Sequence, residues 1–223
     1  VTLRKWMPDW DHVDVICEEH AFPGVSTEIG IARLRPKVVL DLFGQGYEGV
    51  LFLGADVMFY SIPHDLYSVA AGRRIGLTPH TLELPPVDGH HPSPLDFMKA
   101  GRYNADFAFW PNTLEARYFL AWQEAVMQKH CGPETFFDQG WLGMIDPTEV
   151  IELPPRYNVA YYNLHERSVV KRNGKWTVNG HAPLVAYHFT GFVGPDSLSK
   201  HQDRLPMTDD LRQRYTEYAE AVK

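Results

Sequence analysis

The sequence predicts an α/β fold, a sheet flanked by helices, and three observations carry that prediction. Gly49-Val50-Leu51-Phe52-Leu53 is a short apolar run bounded by glycine, the pattern of a strand buried on both faces, and it ends in Gly54-Ala55-Asp56. A second apolar run, Val13 to Cys17, lies upstream of a helical stretch from about Thr27 to Phe43, so the opening of the chain reads as a βαβ unit. The 223 residues, 44% of them hydrophobic, suffice for one sizeable core, and residues 1–223 are expected to be a single domain. Open α/β sheets bind ligands beyond the carboxyl ends of their strands, so Asp56 marks the rim where chemistry is expected.

Composition narrows the function classes. A formal net charge of -7 argues against a nucleic-acid partner held on a general basic face, while leaving room for a local phosphate pocket. Cys17 and Cys131 have neither metal-ligand spacing nor the density of a disulfide scaffold, which points to a reducing cytoplasm. No apolar run approaches the roughly 20 residues that span a bilayer, and no signal-peptide pattern opens the chain. Neither an internal repeat nor a low-complexity tract is present. Because Val1 leads almost directly into structured-looking sequence, the chain is expected to belong to a longer polypeptide.

The elements follow in order. Leu34, Val38 and Leu42 fall at helical spacing on the first helix, and Gly44 and Gly46 stop it. A right-handed crossover makes the Val13 and Val50 strands parallel, placing Glu18 and Asp56 on one rim. Arg33, Arg35 and Lys37 read as a solvated basic face around Pro36, itself a kink or a late helix start. Pro63 and Asp65 open a short helix through Ala71, and Arg74 to Pro79 is a strand ending at His80. His80 is as readily a ligand or catalytic group as a structural residue; His90 and His91 are ordinary residues of the loop Thr81 to Ser93, which should cover the site.

Gly101 to Trp110 is a strand whose Asn104 and Asp106 are either satisfied by backbone groups or turned to a ligand. Asn112, with Glu115 three residues on, caps a helix whose stripe Tyr118, Phe119, Trp122, Ala125 and Val126 is core, and Gly132-Pro133 ends it. Asp138-Gln139, flanked by aromatics, precedes an apolar helix that Asp138 could cap. Val169 to Val178 is a hairpin turning at Asn173-Gly174, Leu184 to Phe189 is a strand ending in His188, and Thr208 to Lys223 is a capped terminal helix with Leu211, Tyr215, Tyr218 and Ala219 on one face.

Taken as an ordered set, these residues resemble the GT-A glycosyltransferases of the glycogenin and family 8 nucleotide-sugar transferase group, over roughly residues 28 to 204. Phe52-Leu53-Gly54-Ala55-Asp56 fits the frame apolar-Tyr-Leu-Asp-Ala-Asp, with Gly54 in place of the first acid, a degenerate Asp-x-Asp motif. Tyr103-Asn104-Ala105-Asp106 is similar to Tyr-Asn-Ala-Gly, with Asp106 where a glycine is usual. Asp138-Gln139 with Leu142 resembles Asp-Gln-x-x-Leu, Leu153 to Asn158 resembles Leu-Pro-x-x-Tyr-Asn, and His188-Phe189-Thr190-Gly191 resembles His-Phe-Ser/Thr-Gly.

The resemblance implies a Rossmann-like mixed sheet flanked by helices, here lacking its first strand. It also implies a retaining transfer of a sugar from a nucleotide-sugar, a UDP-sugar favoured, to a glycan or other hydroxyl acceptor. Asp138 and Gln139 would act at the anomeric carbon, where a carboxylate or amide oxygen stabilises an oxocarbenium-like transition state. Arg33, Lys37, Ala55, Asp56, Asn104, Asp106, Gly191 and Lys200 would bind the donor, and Asp56 and His188 would hold Mn²⁺ or Mg²⁺. Gly54 removes a charged ligand from that ion and puts metal dependence in question. Together with the missing first strand it motivates a rival, a transferase-like binding domain without turnover. A nucleotidyltransferase is a second rival, without a glycine-rich phosphate loop to support it.

Overall fold

The computed structural model describes residues 27–90, 92–197, 199 and 206–222. The Val13–Cys17 strand, Glu18, His91 and Lys200 lie outside the described residues, and so do the expected parallel βαβ entry and the question of a missing first strand.

The chain enters through helix α1 (Thr27–Gly44), followed by strands β1 (Gly49–Leu53) and β2 (Val57–Phe59), helix α2 (His64–Ala71) and strand β3 (Ile75–Pro79). Helix α3 (Pro94–Ala100), strand β4 (Tyr103–Pro111) and helix α4 (Leu114–His130) come next, and short 3-10 turns then lead to β5 (Val150–Glu152) and β6 (Val159–Ala160). The rest comprises β7 (Val169–Arg172), β8 (Lys175–Val178), β9 (Ala182–Pro183), β10 (Ala186–His188) and helix α5 (Asp209–Ala221).

Among the described residues these strands form a four-stranded sheet, β1-β4-β3-β5, and two three-stranded sheets, β2-β10-β6 and β7-β8-β9. The first is mixed: β4 runs antiparallel to β1 and β3, whereas β3 and β5 are parallel. Its β1 strand is half-buried throughout, not buried on both faces, and pairs with β4 alone among the described residues. The chain leaves this sheet at Leu53, turns through Gly54, Ala55 and Asp56, and enters the second sheet at Val57, opposite His188. Asp56 therefore sits on the seam between two sheets.

The buried faces of two helices differ in part from their sequence periodicity, although Phe119 and Trp122 of the expected stripe do pack on the core. Helix α1 buries Ala32, Val39 and Phe43, while Leu34, Val38 and Leu42 are half-buried, and Pro36 lies inside the helix. Helix α4 buries Ala116, Phe119, Leu120, Gln123 and Met127 against α1 and the first sheet, and Tyr118 points to solvent. Thr113, not Asn112, caps α4, accepting from the Ala116 N–H. Asn112 is taken elsewhere, donating to the Tyr47 carbonyl and accepting from Arg117. The segment after Asp138 is a 3-10 turn, Gln139–Met144, in place of the expected helix.

The hairpin forms at Asn173-Gly174, where both residues have positive φ, the backbone that a two-residue turn requires. Helix α5, capped by Thr208, packs Tyr215 and Tyr218 on the second sheet, with the Tyr218 ring stacked on Phe189 at 4.0 Å.

Candidate functional site

Five separate parts of the chain meet at the seam. Asp56 is fixed by the backbone around it: the Val57 N–H donates to the Gly54 carbonyl, and the Asp56 carbonyl accepts from Phe189 N–H at 2.8 Å. His188, at the end of β10 and 4% exposed, places Nε2 at 3.1 Å from Asp56 Oδ1 and 3.6 Å from Asp106 Oδ2. Asp106 comes from β4, whose pairing with β3 shifts register between Leu77 and Thr78; the Asn104 side-chain oxygen accepts the Asp106 N–H at 2.9 Å across this irregularity. Bulges of this kind re-aim side chains out of the ladder.

Arg35 closes the cluster from helix α1. Its guanidinium donates to Asp106 Oδ1 at 2.5 Å and to Asp138 Oδ2 at 2.7 Å, with its plane over Phe52 at 4.7 Å. The basic-face reading fails for this residue, because one flat cation joins two carboxylates from different segments. Arg33 and Lys37 make their polar contacts elsewhere: Arg33 donates to the Met127 and Gln128 carbonyls of α4, and Lys37 pairs with Asp41 on the exposed side of its own helix. Arg35, between them, is the one that reaches the cluster, and nothing in the sequence separates it from its two basic neighbours.

Asp138 occupies a cap position yet its side chain caps nothing, so its carboxylate is free for Arg35. It is held in place by strained geometry. Phe136 and Phe137 both have positive φ, 49° and 58°, a backbone that bulky side chains disfavour. Gly140 lets the turn close: a Cβ there would meet the Thr135 carbonyl oxygen at 2.3 Å. Gln123 of α4 donates to the Asp138 carbonyl, and Gln139 Oε1 accepts the Ala105 N–H at 3.0 Å. Asn104 is buried beside Gln139 and Tyr162. Ala55 is exposed at the tip of the seam turn, and Gly191, with φ 68°, shapes the turn after His188.

Electrostatics follow from this crowding. Burial disfavours the charged form of His188, but Asp56 and then Asp106 outweigh it and raise the imidazole above its ordinary value. Burial likewise opposes ionisation of Asp56, and His188 overrides it, holding that carboxyl below the usual range. Asp138 is pushed up by burial against the pull of Arg35. His80 is buried, and burial lowers it to about 4; its Nδ1–H donates to the Gly101 carbonyl at 3.0 Å, which makes it a neutral structural group.

The donor set at Asp56 and His188, carboxylate oxygen and imidazole nitrogen, suits a hard divalent ion. As built, the two groups are ion-paired, and among the described residues no three His, Cys, Asp or Glu side chains stand ready-spaced as a metal cage. His188 Nδ1 is buried without a hydrogen-bond partner among the described residues.

Next to the cluster, His80, Leu82, Leu84, Phe97, Met98 and Arg102 line an open cavity of about 260 Å³. The loop that forms its wall is tied down by Glu166, whose carboxylate accepts the N–H groups of Leu82 and Glu83.

The mixed sheet, with Asp56 in the turn after β1 and His188 on a neighbouring sheet, has a GT-A glycosyltransferase-like fold by its likeness to one solved structure. The chain is similar over 99% of its length, and over 88% of the other's, to a crystal structure of the galactosyltransferase LgtC in complex with donor and acceptor sugar analogs, at a TM-score of 0.55 and 16% identity. Over 154 residues it is 22% identical to YfnF of Bacillus subtilis strain 168, a protein whose name gives no function; the match covers 65% of this chain and spans half the length of that protein. No protein-family profile matches the chain. No helix among the described residues is long and apolar enough to cross a membrane.

Proposed function

We propose that this chain transfers a sugar from a nucleotide-sugar, with a UDP-sugar the favoured donor, to a hydroxyl of a glycan or other acceptor, with retention of configuration and in the cytoplasm. One observation carries the reading: Asp56, Asp106, His188, Arg35 and Asp138 converge on the seam of a GT-A-like sheet. The donor diphosphate lies along Asp56, His188 and Gly191, with the sugar toward Asn104, Asp106 and Asp138. Lys200, outside the described residues, joins the diphosphate in this proposal. Acceptors approach through the cavity beside His80.

Asp56 and His188 would hold Mn²⁺ or Mg²⁺, and when bound the ion supplies charge neutralisation to the departing diphosphate. The chain's own residues do the rest. Arg35 favours the ionised form of Asp138 against the burial that opposes it, and a carboxylate held there near the sugar faces the anomeric carbon as positive charge develops. Gln139 holds β4 in place through Ala105, which fixes Asn104 and Asp106 relative to Asp138.

A thermal-shift panel of nucleoside diphosphates and nucleotide-sugars, with and without Mn²⁺, tests the reading. A ligand at a hundred times its dissociation constant adds about 2.7 kcal/mol. A shift for one nucleotide, followed by transfer or hydrolysis of its sugar, is expected; no shift for any of them overturns the proposal. A second reading, a binding domain without turnover, is favoured by Gly54 alone and requires a shift without sugar release.

A further inference from the structure

We propose that Asp106 stands in for the acid missing at position 54, so that the cation ligands of this chain are Asp56, Asp106 and His188, one carboxylate coming from the turn after β1 and the other from its neighbour β4. The inference rests on reading the seam as a nucleotide-sugar site. Its observation is steric. The Gly54 N–H donates to the Asp106 carbonyl at 2.9 Å, so the two residues lie side by side where β1 leaves β4. A Cβ added to Gly54 would stand 2.9 Å from Asp106 Cβ, 3.1 Å from Asp106 Cγ and 2.9 Å from Asp56 Oδ1. The space that a side chain at 54 would fill is thus largely taken by the side chain at 106, and an acid at both positions requires one of them to shift.

The carboxylate of Asp106 divides its oxygens. Oδ1 accepts from Arg35, and Oδ2 faces His188 Nε2 at 3.6 Å, while Asp56 Oδ1 faces the same nitrogen at 3.1 Å. Ligands at right angles about an ion with bonds of about 2.1 Å stand roughly 3.0 Å apart, close to the 3.1 Å between His188 Nε2 and Asp56 Oδ1, while Asp106 Oδ2, 3.6 Å from the same nitrogen, has to move slightly inward. A cation must part the His188–Asp56 pair to enter. Arg35 keeps the Asp106 carboxylate oriented from the side away from the ion.

Binding of Mn²⁺ alone to the full chain, followed by the electron paramagnetic resonance signal of the free ion, tests the assignment. One Mn²⁺ per chain is expected, weakened more than about tenfold in Asp106→Asn. Gly54→Asp alone should lower the melting temperature through the clash, and the double variant Gly54→Asp/Asp106→Gly should regain Mn²⁺ binding to within a few-fold of wild type. Asp106→Asn binding as tightly as wild type, a folded double variant that stays as weak as Asp106→Asn, or no uptake by wild type would each overturn it. If Asp106→Asn does not fold, Asp106→Glu and the double variant decide on the same criteria. The nucleotide panel separates the two proposals: Mn²⁺ binding that needs Asp106 without any nucleotide response sinks the transferase reading alone, and a nucleotide response identical in Mn²⁺ and in EDTA sinks the Asp106 assignment alone.

Discussion

Removing Arg35 would leave Asp106 and Asp138 without the cation they share. Arg35→Met should cost about 1–3 kcal/mol in urea unfolding, because Asp138 is left buried without its donor while Asp106 stays partly solvated. Arg35→Lys should recover only part of it, because a point charge cannot hold two carboxylates in one plane. His80 gives a prediction with a defined pH window. Its folded value of about 4 lies below the ordinary 6.5, so the unfolded chain takes up a proton that the folded chain refuses. Its contribution is fully present above pH 6.5 and falls as pH drops toward 4, by about 3 kcal/mol in all. Urea midpoints at several pH values should show that slope in wild type and lose it in His80→Leu. Arg35 also shows what the sequence hid: three basic residues at 33, 35 and 37 look alike, and only the packing of α1 decides which one turns inward.

At the scale of the element, the turn from Thr135 to Gly140 is the presentation device for Asp138. Gly140→Ala drives a Cβ into the Thr135 carbonyl, and overpacking of this kind costs about 1–3 kcal/mol. The expected signature is a lower melting temperature together with a weaker response to the stabilising nucleotide. Elements with local chemistry were legible from sequence: the hairpin at Asn173-Gly174, the helix stop at Gly44 and the strand before Asp56. The faces of α1 and α4 were not. Tyr118 is apolar by type yet faces water, and Gln123 is polar yet buried because the Asp138 carbonyl needs its donor. Tertiary demand overrode periodicity at both positions.

At the scale of the molecule, helix α5 braces the second sheet from behind the site. Tyr218 stacks on Phe189, the residue after His188, and burial followed by the negative charge of Asp56 raises its hydroxyl above the ordinary value. Tyr218→Ala should lower stability by about 3 kcal/mol and reduce nucleotide-dependent stabilisation, as read by thermal shift with each candidate nucleotide. A conservative Tyr218→Phe should do neither. The family resemblance paired Asp56 with His188 but not the change of sheets that brings them together, because nothing in residues 50–57 says that the chain leaves one sheet at Leu53 and enters another at Val57.

The close approach of Gly54 and Asp106 has a historical consequence. No single substitution can carry the acid from one strand to the other, since filling position 54 first collides with Asp106 and emptying position 106 first discards the carboxylate. A lineage holding this arrangement is therefore locked in, and its relatives should sort into two kinds, small at 54 with acid at 106, or acid at 54 with small at 106. A search keyed to paired acids on one strand would pass over the first kind every time.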